Sequence, residues 1–502
     1  MPLRLTFLAA AGAIGIVIGS AVSAQSMPGM NMPAPAKKAP ASPKKKPQAK
    51  RPASAAAPSR ASHARHAPAP ATPAMDQMPM PMEHQTPPTP SPQPAPIDQS
   101  PMSDMPGMQH SNHAGTAMQM TGALGPYAMQ RESSGTAWQP DTSEHAGLHV
   151  MSGDWMLMAH GTLNLVYDHQ SGPRGADKAF AGGMLMGMAS RPLGNGTLQL
   201  RAMVSPDPIM GKRGYPLLLA AGETANGTDT LVDRQHPHDF FMELSASVSQ
   251  NVGSNSSLFV YAGLPGEPAF GPPAFMHRES ILDSPEAPIS HHWLDSTHIT
   301  FGVVTAGVVV DRIKLEISRF NARMPDQHRW DIETGPLTST SVRLSWNPTR
   351  TLALQGSWGH FDNPEPMAPG VDEKRWSASA LWTNRIAPAW KLATTLAWGR
   401  KRSDGHNDDA LAAEASLKHG GWTLFGRGEM TENRELGGMM DGPAYRVGKV
   451  SLGTVRDFAV ADHFALGLGG LVAVDFVSDA LAPSYGGHHP VGTMAFVRLK
   501  LD

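Results

Sequence analysis

Ser339-Thr340-Ser341-Val342-Arg343-Leu344-Ser345-Trp346-Asn347-Pro348-Thr349-Arg350-Thr351-Leu352-Ala353-Leu354-Gln355-Gly356-Ser357-Trp358 reads as two strands joined by a turn. Val342, Leu344 and Trp346 alternate with Arg343 and Ser345; Leu352, Leu354, Gly356 and Trp358 alternate with Ala353, Gln355 and Ser357. Further on, Leu392, Thr394, Leu396 and Trp398 alternate with Lys391, Ala393, Thr395 and Ala397. A period of two gives each strand one apolar face and one polar or small face. A soluble sandwich turns the apolar faces inward onto a core. A membrane barrel turns them outward into lipid and lines its lumen with the polar faces.

Working outward, about sixteen such segments run through residues 145–502, each roughly ten residues long, the length of a tilted membrane strand. Short joints such as Leu193-Gly194-Asn195-Gly196, Asn347-Pro348-Thr349 and His419-Gly420-Gly421 alternate with long ones. The joint near Asp404 is of moderate length. This is the turn-and-loop asymmetry of a bacterial barrel, and a sandwich has no reason to show it. The expected fold is therefore all-β: a transmembrane antiparallel outer-membrane β-barrel. Arg312, Lys314, Glu316, Arg343, Glu414, Lys418, Arg427, Glu429, Arg498 and Lys500 fall on the polar face and are expected in the lumen.

The chain of 502 residues has a formal net charge of -2 and no cysteine. The charge balance gives no reason to expect a nucleic-acid partner. The missing cysteines exclude disulfides, thiolate metal ligands and a lipidated cysteine. Arg4, an apolar run from Leu5 to Ile18 and Ala21-Val22-Ser23-Ala24 predict a signal peptide over residues 1–24. No later apolar run reaches the about 20 residues of a membrane helix. The mature chain is thus expected in the Gram-negative outer membrane, among its lipids, with its N-terminal arm in the periplasm.

That arm, residues 25–144, is rich in Pro, Ala, Ser and Met, with no Phe, Trp or Tyr between Phe7 and Tyr127. Such a segment buries too little apolar surface to offset the entropy of ordering, so it is expected to be disordered. Lys37, Lys38, Lys44, Lys45, Lys46, Lys50, Arg51, Arg60 and Arg65 make one zone basic. It suits an anionic surface, or simply keeps a linker soluble. The methionines form clusters: Met27, Met30 and Met32; Met75, Met78, Met80 and Met82 with His84; Met102, Met105 and Met108 with His110 and His113. Thioether sulfur is soft and uncharged at any pH, so it selects Cu(I) or Ag(I), while neighbouring imidazoles suit Cu(II). The arm is expected to bind copper.

Histidines recur in the long joints: His236-Pro237-His238, Phe275-Met276-His277-Arg278, His291-His292-Trp293 and His488-His489. Two readings stay open. His236, His238, His277, His291 and His292 could hold a metal ion or other ligand together, although the adjacent His291 and His292 point apart if the chain is extended. Alternatively, the joints form a hydrogen-bonded plug in which Arg234, Arg278 and Arg329 pair with Asp239, Asp295 and Asp331. His160, His169, His360 and His463 stand alone in sequence and read as structural. No nucleophile elbow, phosphate-binding loop, H-E-x-x-H or dinucleotide fingerprint is present, so no enzyme is expected.

The blocks at residues 234–243, 266–278, 291–302 and 326–331 resemble uncharacterised outer-membrane proteins of Gram-negative bacteria associated with copper and heavy-metal resistance. A Met-rich arm ahead of a barrel is also similar in layout to the copper-resistance outer-membrane protein B family. The resemblance implies an outer-membrane location and a metal context, with periplasmic copper-handling proteins as partners. It carries over no site residues. The functional expectation is a non-enzymatic barrel in copper homeostasis; the alternatives are a general porin and a structural barrel with a loop-plugged lumen.

Overall fold

Leu344 and Trp346 keep about half of their surface exposed, 50% and 47%, while Ser341, Arg343 and Ser345 between them are sealed. The apolar face therefore points out and the charged face points in, which excludes a sandwich. The computed structural model describes residues 120–144, 147–437 and 442–501. The expected signal peptide, and every arm methionine and histidine from Met27 to His113 named above, lie outside the described residues.

The strands are β1 (Leu148–Ser152), β2 (Trp155–Gln170), β3 (Asp177–Leu193), β4 (Gly196–Val204), β5 (Tyr215–Thr224), β6 (Thr230–Gln235), β7 (Phe241–Asn251), β8 (Ser256–Gly263), β9 (Val303–Val310) and β10 (Ile313–Phe320). They continue as β11 (Ser339–Thr349), β12 (Leu352–Phe361), β13 (Glu373–Ala387), β14 (Trp390–Ser403), β15 (His406–His419), β16 (Trp422–Asn433), β17 (Tyr445–Ala461), β18 (Phe464–Phe476) and β19 (Val491–Leu501). β5 and β6 pair only with each other, and β1 pairs only with β2. The other sixteen close on themselves, every neighbour antiparallel. The seam joins β19 to β2, with Arg498 opposite Asn164 and Leu501 opposite Gly161. β1 occupies the rest of that same edge of β2, opposite Trp155 to Ala159, so it prolongs β19 end to end. Closure leaves no unpaired edge, the condition under which strands can cross a bilayer.

The outward positions are greasy all round the wall: Leu163, Leu185, Leu258, Leu315, Leu396, Leu424, Leu452 and Leu468 are among them. Exchanging Leu344, mid-strand in β11, for arginine is expected to cost about 2–4 kcal/mol, because the guanidinium would sit in hydrocarbon. Urea unfolding of Leu344→Arg in phospholipid vesicles reads this; an unchanged midpoint would place the β11 outer face in water.

Joints alternate as expected. One end carries residues 194–195, 252–255, 311–312, 350–351, 388–389, 420–421 and 462–463; the other carries 171–176, 205–240, 264–302, 321–338, 362–372, 404–405, 434–444 and 477–490. The joint at Asp404 is tighter than expected. Asp404 and Gly405 both take positive φ, 45° and 80°, the two-residue hairpin turn for which an Asp-Gly pair is suited.

Three expectations need correction. The arm boundary near residue 144 is one: residues 120–144 are folded, with Leu124, Tyr127 and Trp138 buried against Phe259 and Val309 on the inner wall. The aromatic side chains, absent before Tyr127, supply what the rest of the arm lacks. Second, the joint 205–240 is not plain loop but holds the β5–β6 hairpin, whose Leu217, Leu218 and Leu219 are fully buried inside the barrel. Third, Arg312 is not in the lumen. It sits exposed in the 311–312 turn, donating to the Pro348 carbonyl oxygen at 2.7 Å.

Candidate functional site in the barrel lumen

Inserted chain occupies much of the lumen: segment 120–144, the β5–β6 hairpin and residues 264–302. At the short-turn end lies the segment 120–144. Its backbone oxygens meet donors from the wall: Ser249 Oγ to Ala123 at 2.7 Å, Ser257 Oγ to Leu124 at 2.6 Å, and Asn347 Nδ2 to Gln139 at 2.8 Å. Lys314 Nζ donates to the Thr136 carbonyl and Arg343 Nη2 to Thr136 Oγ1 at 2.8 Å. Arg131, paired to Asp141 at 2.7 Å, is held over the Trp138 ring at 4.8 Å. Lys314 and Arg343, read from sequence as lumen-facing, are therefore engaged by inserted chain.

The second insertion is residues 264–302, with β5–β6 packed above it. Here the charges interlock across segments. Arg278, fully buried, reaches Glu414 of β15 through two bonds of 2.9 and 2.6 Å and also binds Asp295. Asp283 meets Arg498 at 2.7 Å and Lys418 at 3.4 Å. Glu286 meets Arg427 at 3.2 Å and Lys449 at 2.5 Å, and Ser290 Oγ donates to Glu429 at 2.6 Å. The expected Arg278–Asp295 pair is present. Arg329 pairs with Asp239 at 3.2 Å and with Glu223, not with Asp331, and Arg234 donates to the Arg213 carbonyl at 2.8 Å. Ala274 N donates to Ser134 Oγ at 2.8 Å, so the two insertions touch.

The loop histidines gather around Phe275, mostly as edge-to-face ring pairs. His236 lies 5.6 Å from His292 and 6.1 Å from His291 between ring centres; His298 lies 5.1 Å from His291 and 5.2 Å from His238. His291 Nδ1 bonds Asp295 at 2.7 Å, His238 Nδ1 bonds Asp207 at 2.8 Å, and His236 Nε2 approaches Glu223 at 3.2 Å. His277 stands apart, 6.0 Å from His160. Of the candidate metal set, then, His236, His238 and His291 come together and His277 does not. The expected His292 is with them, and His298 joins. Among the described residues, no group of three or more His, Asp or Glu is placed to hold a metal ion. Close packing is visible at Gly222, where a Cβ would lie 2.6 Å from His292 Cε1.

Burial holds His236, His292 and His298 well below the usual histidine range, with nearby positive groups adding to it. They are neutral in the fold, whereas the unfolded chain takes up protons below about 6.5. Their contribution to stability is therefore lost as pH falls through that value. Asp239, pushed up to about 7 by burial, and Glu223, also raised by burial, act oppositely: the fold holds their protons at pH values where the unfolded chain has lost them. A variant isolates the histidine share. His292→Gln is expected to flatten the acid-side slope of stability by up to about 1.4 kcal/mol per pH unit. Urea midpoints at pH 7.5, 6.5 and 5.5 read the difference; parallel slopes would mean that His292 protonates freely in the fold.

A cavity of about 200 Å³ remains beside β2 and β3. It is lined from Met156 to Val166, about 33 Å of strand at roughly 3.3 Å per residue. Its wall is unlike the rest of the lumen. Met156, Met158 and His160 of β2 and Met184, Met186 and Met188 of β3 occupy successive inward positions, with Met276 and His277 also lining it. The register sets Met158 opposite Met188 and His160 opposite Met186, and His160 Nε2 lies 3.2 Å from Met186 Sδ. His160, which stands alone in the sequence, therefore has thioether neighbours in the fold. The sequence signal of this wall is Met-x-Met-x-His and Met-x-Met-x-Met at the strand period.

No protein-family profile matches the chain, and no curated protein matches it. Solved structures of barrels do. Salmonella typhi OmpF, in complex with daunomycin, is 10% identical over 70% of this chain and 100% of its own, with a TM-score of 0.45. An anion-selective porin from Comamonas acidovorans is 13% identical over 69% and 99%, with a TM-score of 0.40. Pseudomonas aeruginosa OpdQ is 12% identical over 68% and 98%, with a TM-score of 0.36. The likeness is one of barrel architecture alone.

Proposed function

We propose that the protein is an outer-membrane channel kept shut by its own chain, through which a small solute crosses only when the two insertions move. The observation that carries this reading is that inserted chain enters the lumen from both ends and leaves there a cavity of about 200 Å³ beside β2 and β3. Segment 120–144 closes the short-turn, periplasmic end, and residues 264–302 close the long-loop, outer end. Barrels of 16–18 strands are wide enough for an aqueous channel, so a packed lumen is a state built by specific contacts and not a consequence of size. In planar bilayers the purified chain is expected to be silent at rest; steady porin-like steps would overturn the reading.

A second reading, soft-metal homeostasis, has its own support. The arm places Met27, Met30, Met32, Met75, Met78, Met80, Met82, Met102, Met105 and Met108 on a Pro-rich segment, where thioethers could converge on Cu(I) or Ag(I). In this reading the arm captures the ion in the periplasm and the barrel anchors the arm in the membrane, with no enzymatic step.

A further inference from the structure

We propose that the thioether wall of β2 and β3 is itself a binding site for a soft monovalent cation, Cu(I) or Ag(I), inside the lumen. The proposal deepens the metal-handling reading above, but it stands on residues of the barrel and does not use the arm.

The first ground is contrast within one wall. Elsewhere many inward positions are charged, as at Lys314, Arg343, Glu414, Arg427 and Arg498, and each of these grips inserted chain. Along β2 and β3 five inward positions, Met156, Met158, Met184, Met186 and Met188, are thioethers lining a cavity, and the three of β3 also pack with Met203, Met242, Ile299 and Phe301. Apolar packing does not require methionine, because the neighbouring buried cluster is built from Leu217, Leu218, Leu219, Phe425, Leu471 and Phe496. The second ground is chemistry. Met184, Met186 and Met188 share one face of one strand, and the His160 imidazole adds a nitrogen 3.2 Å from the Met186 sulfur. Thioethers with one imidazole form a soft, uncharged donor set, which selects Cu(I) over hard divalent ions. Both signs of charge line the same cavity, through Glu132 and Asp207 on one hand and Lys418 and Lys500 on the other.

The test uses the full-length chain in detergent, titrated without oxygen with Cu(I) against a chromophoric chelator and, separately, with Ag(I). One variant carries Met184→Leu, Met186→Leu and Met188→Leu; a second carries leucine at every arm methionine from Met27 to Met118. Leucine keeps the volume of methionine, so folded barrel is expected in both, checked by heat-modifiable migration. The expected result is that the barrel variant loses one ion per chain, or that this ion's Kd rises at least tenfold, while the arm variant keeps it. X-ray absorption of the arm variant loaded with Cu(I) should show sulfur together with one imidazole nitrogen, and the nitrogen should vanish in His160→Leu. Unchanged binding in a folded barrel variant overturns the lumen site while leaving the arm reading standing. Should neither wild type nor variants take up Cu(I) or Ag(I), both fall. Binding of an apolar dye but no metal by wild type would assign the cavity to a greasy ligand and overturn the proposal.

Discussion

Arg278→Met is expected to destabilise the fold by about 3–5 kcal/mol, the cost of leaving buried carboxylates without their cation. Arg278 is 0% exposed and spends its guanidinium on Glu414, Asp295 and the Pro273 carbonyl. Glu414 belongs to the wall and Asp295 to the insertion, so this one side chain ties the two together. Ser280 Oγ at 2.8 Å and His291 at 2.7 Å would remain on the carboxylates, but neither carries a fixed charge. Lysine should rescue little, because a point charge cannot reproduce the forked contact. Removing the stranded charge should rescue more: Arg278→Met with Glu414→Gln is expected to recover a good part of the loss. Urea unfolding in vesicles, followed by tryptophan emission, measures all three variants. A loss under about 1 kcal/mol for Arg278→Met would mean that water reaches the site and screens it.

The wall of this protein was legible because lipid enforces a strict rule on it. One face of every strand must be apolar, and Val342, Leu344 and Trp346 obey the rule with a period that no loop would keep. Joint lengths were legible for the same reason, since only one end of the barrel carries long excursions. The insertions follow no such rule. Residues 120–144 have no period of their own; they hold their shape because Ser249, Ser257, Lys314 and Asn347 bind their backbone. Only the return of aromatic residues at Tyr127 and Trp138 marked the true boundary. The ion pairs were half legible. That Arg278 would meet Asp295 could be guessed from loop composition, but Glu414 lies 136 positions away and only the closure of the barrel brings it there. His236, His238, His291, His292 and His298 share one end of the barrel, and the sequence showed as much. Whether rings on one end become a donor set or a stack depends on Phe275, which sits among them. The methionine wall is the opposite case. Its period was plain in the sequence, and it was passed over because methionine, unlike histidine or arginine, does not by itself suggest a site.

Deleting residues 120–144 is expected to leave the bilayer electrically silent, and combining that deletion with Arg278→Met is expected to give conducting steps. The two insertions lie in series along the lumen. Barriers in series do not add like parallel paths: current is limited by whichever remains. Without the first segment, Lys314, Arg343 and Asn347 face water at the short-turn end, which costs little because they exchange protein partners for solvent. Residues 264–302 still block the way, held by Arg278, Asp283 and Glu286 on four wall strands, β15, β16, β17 and β19. Arg278→Met alone frees one of these ties but leaves the loop resting on segment 120–144 through Ser134 and Ala274. Only the combination removes both the support and an anchor. Each variant is checked for heat-modifiable migration before recording, so that silence is read from folded barrel. If the deletion alone conducts, the loop is not a barrier and segment 120–144 is the sole gate. If the combination stays silent, the remaining anchors at Asp283 and Glu286 suffice, and passage through this barrel would require Arg427 or Arg498 to let go as well.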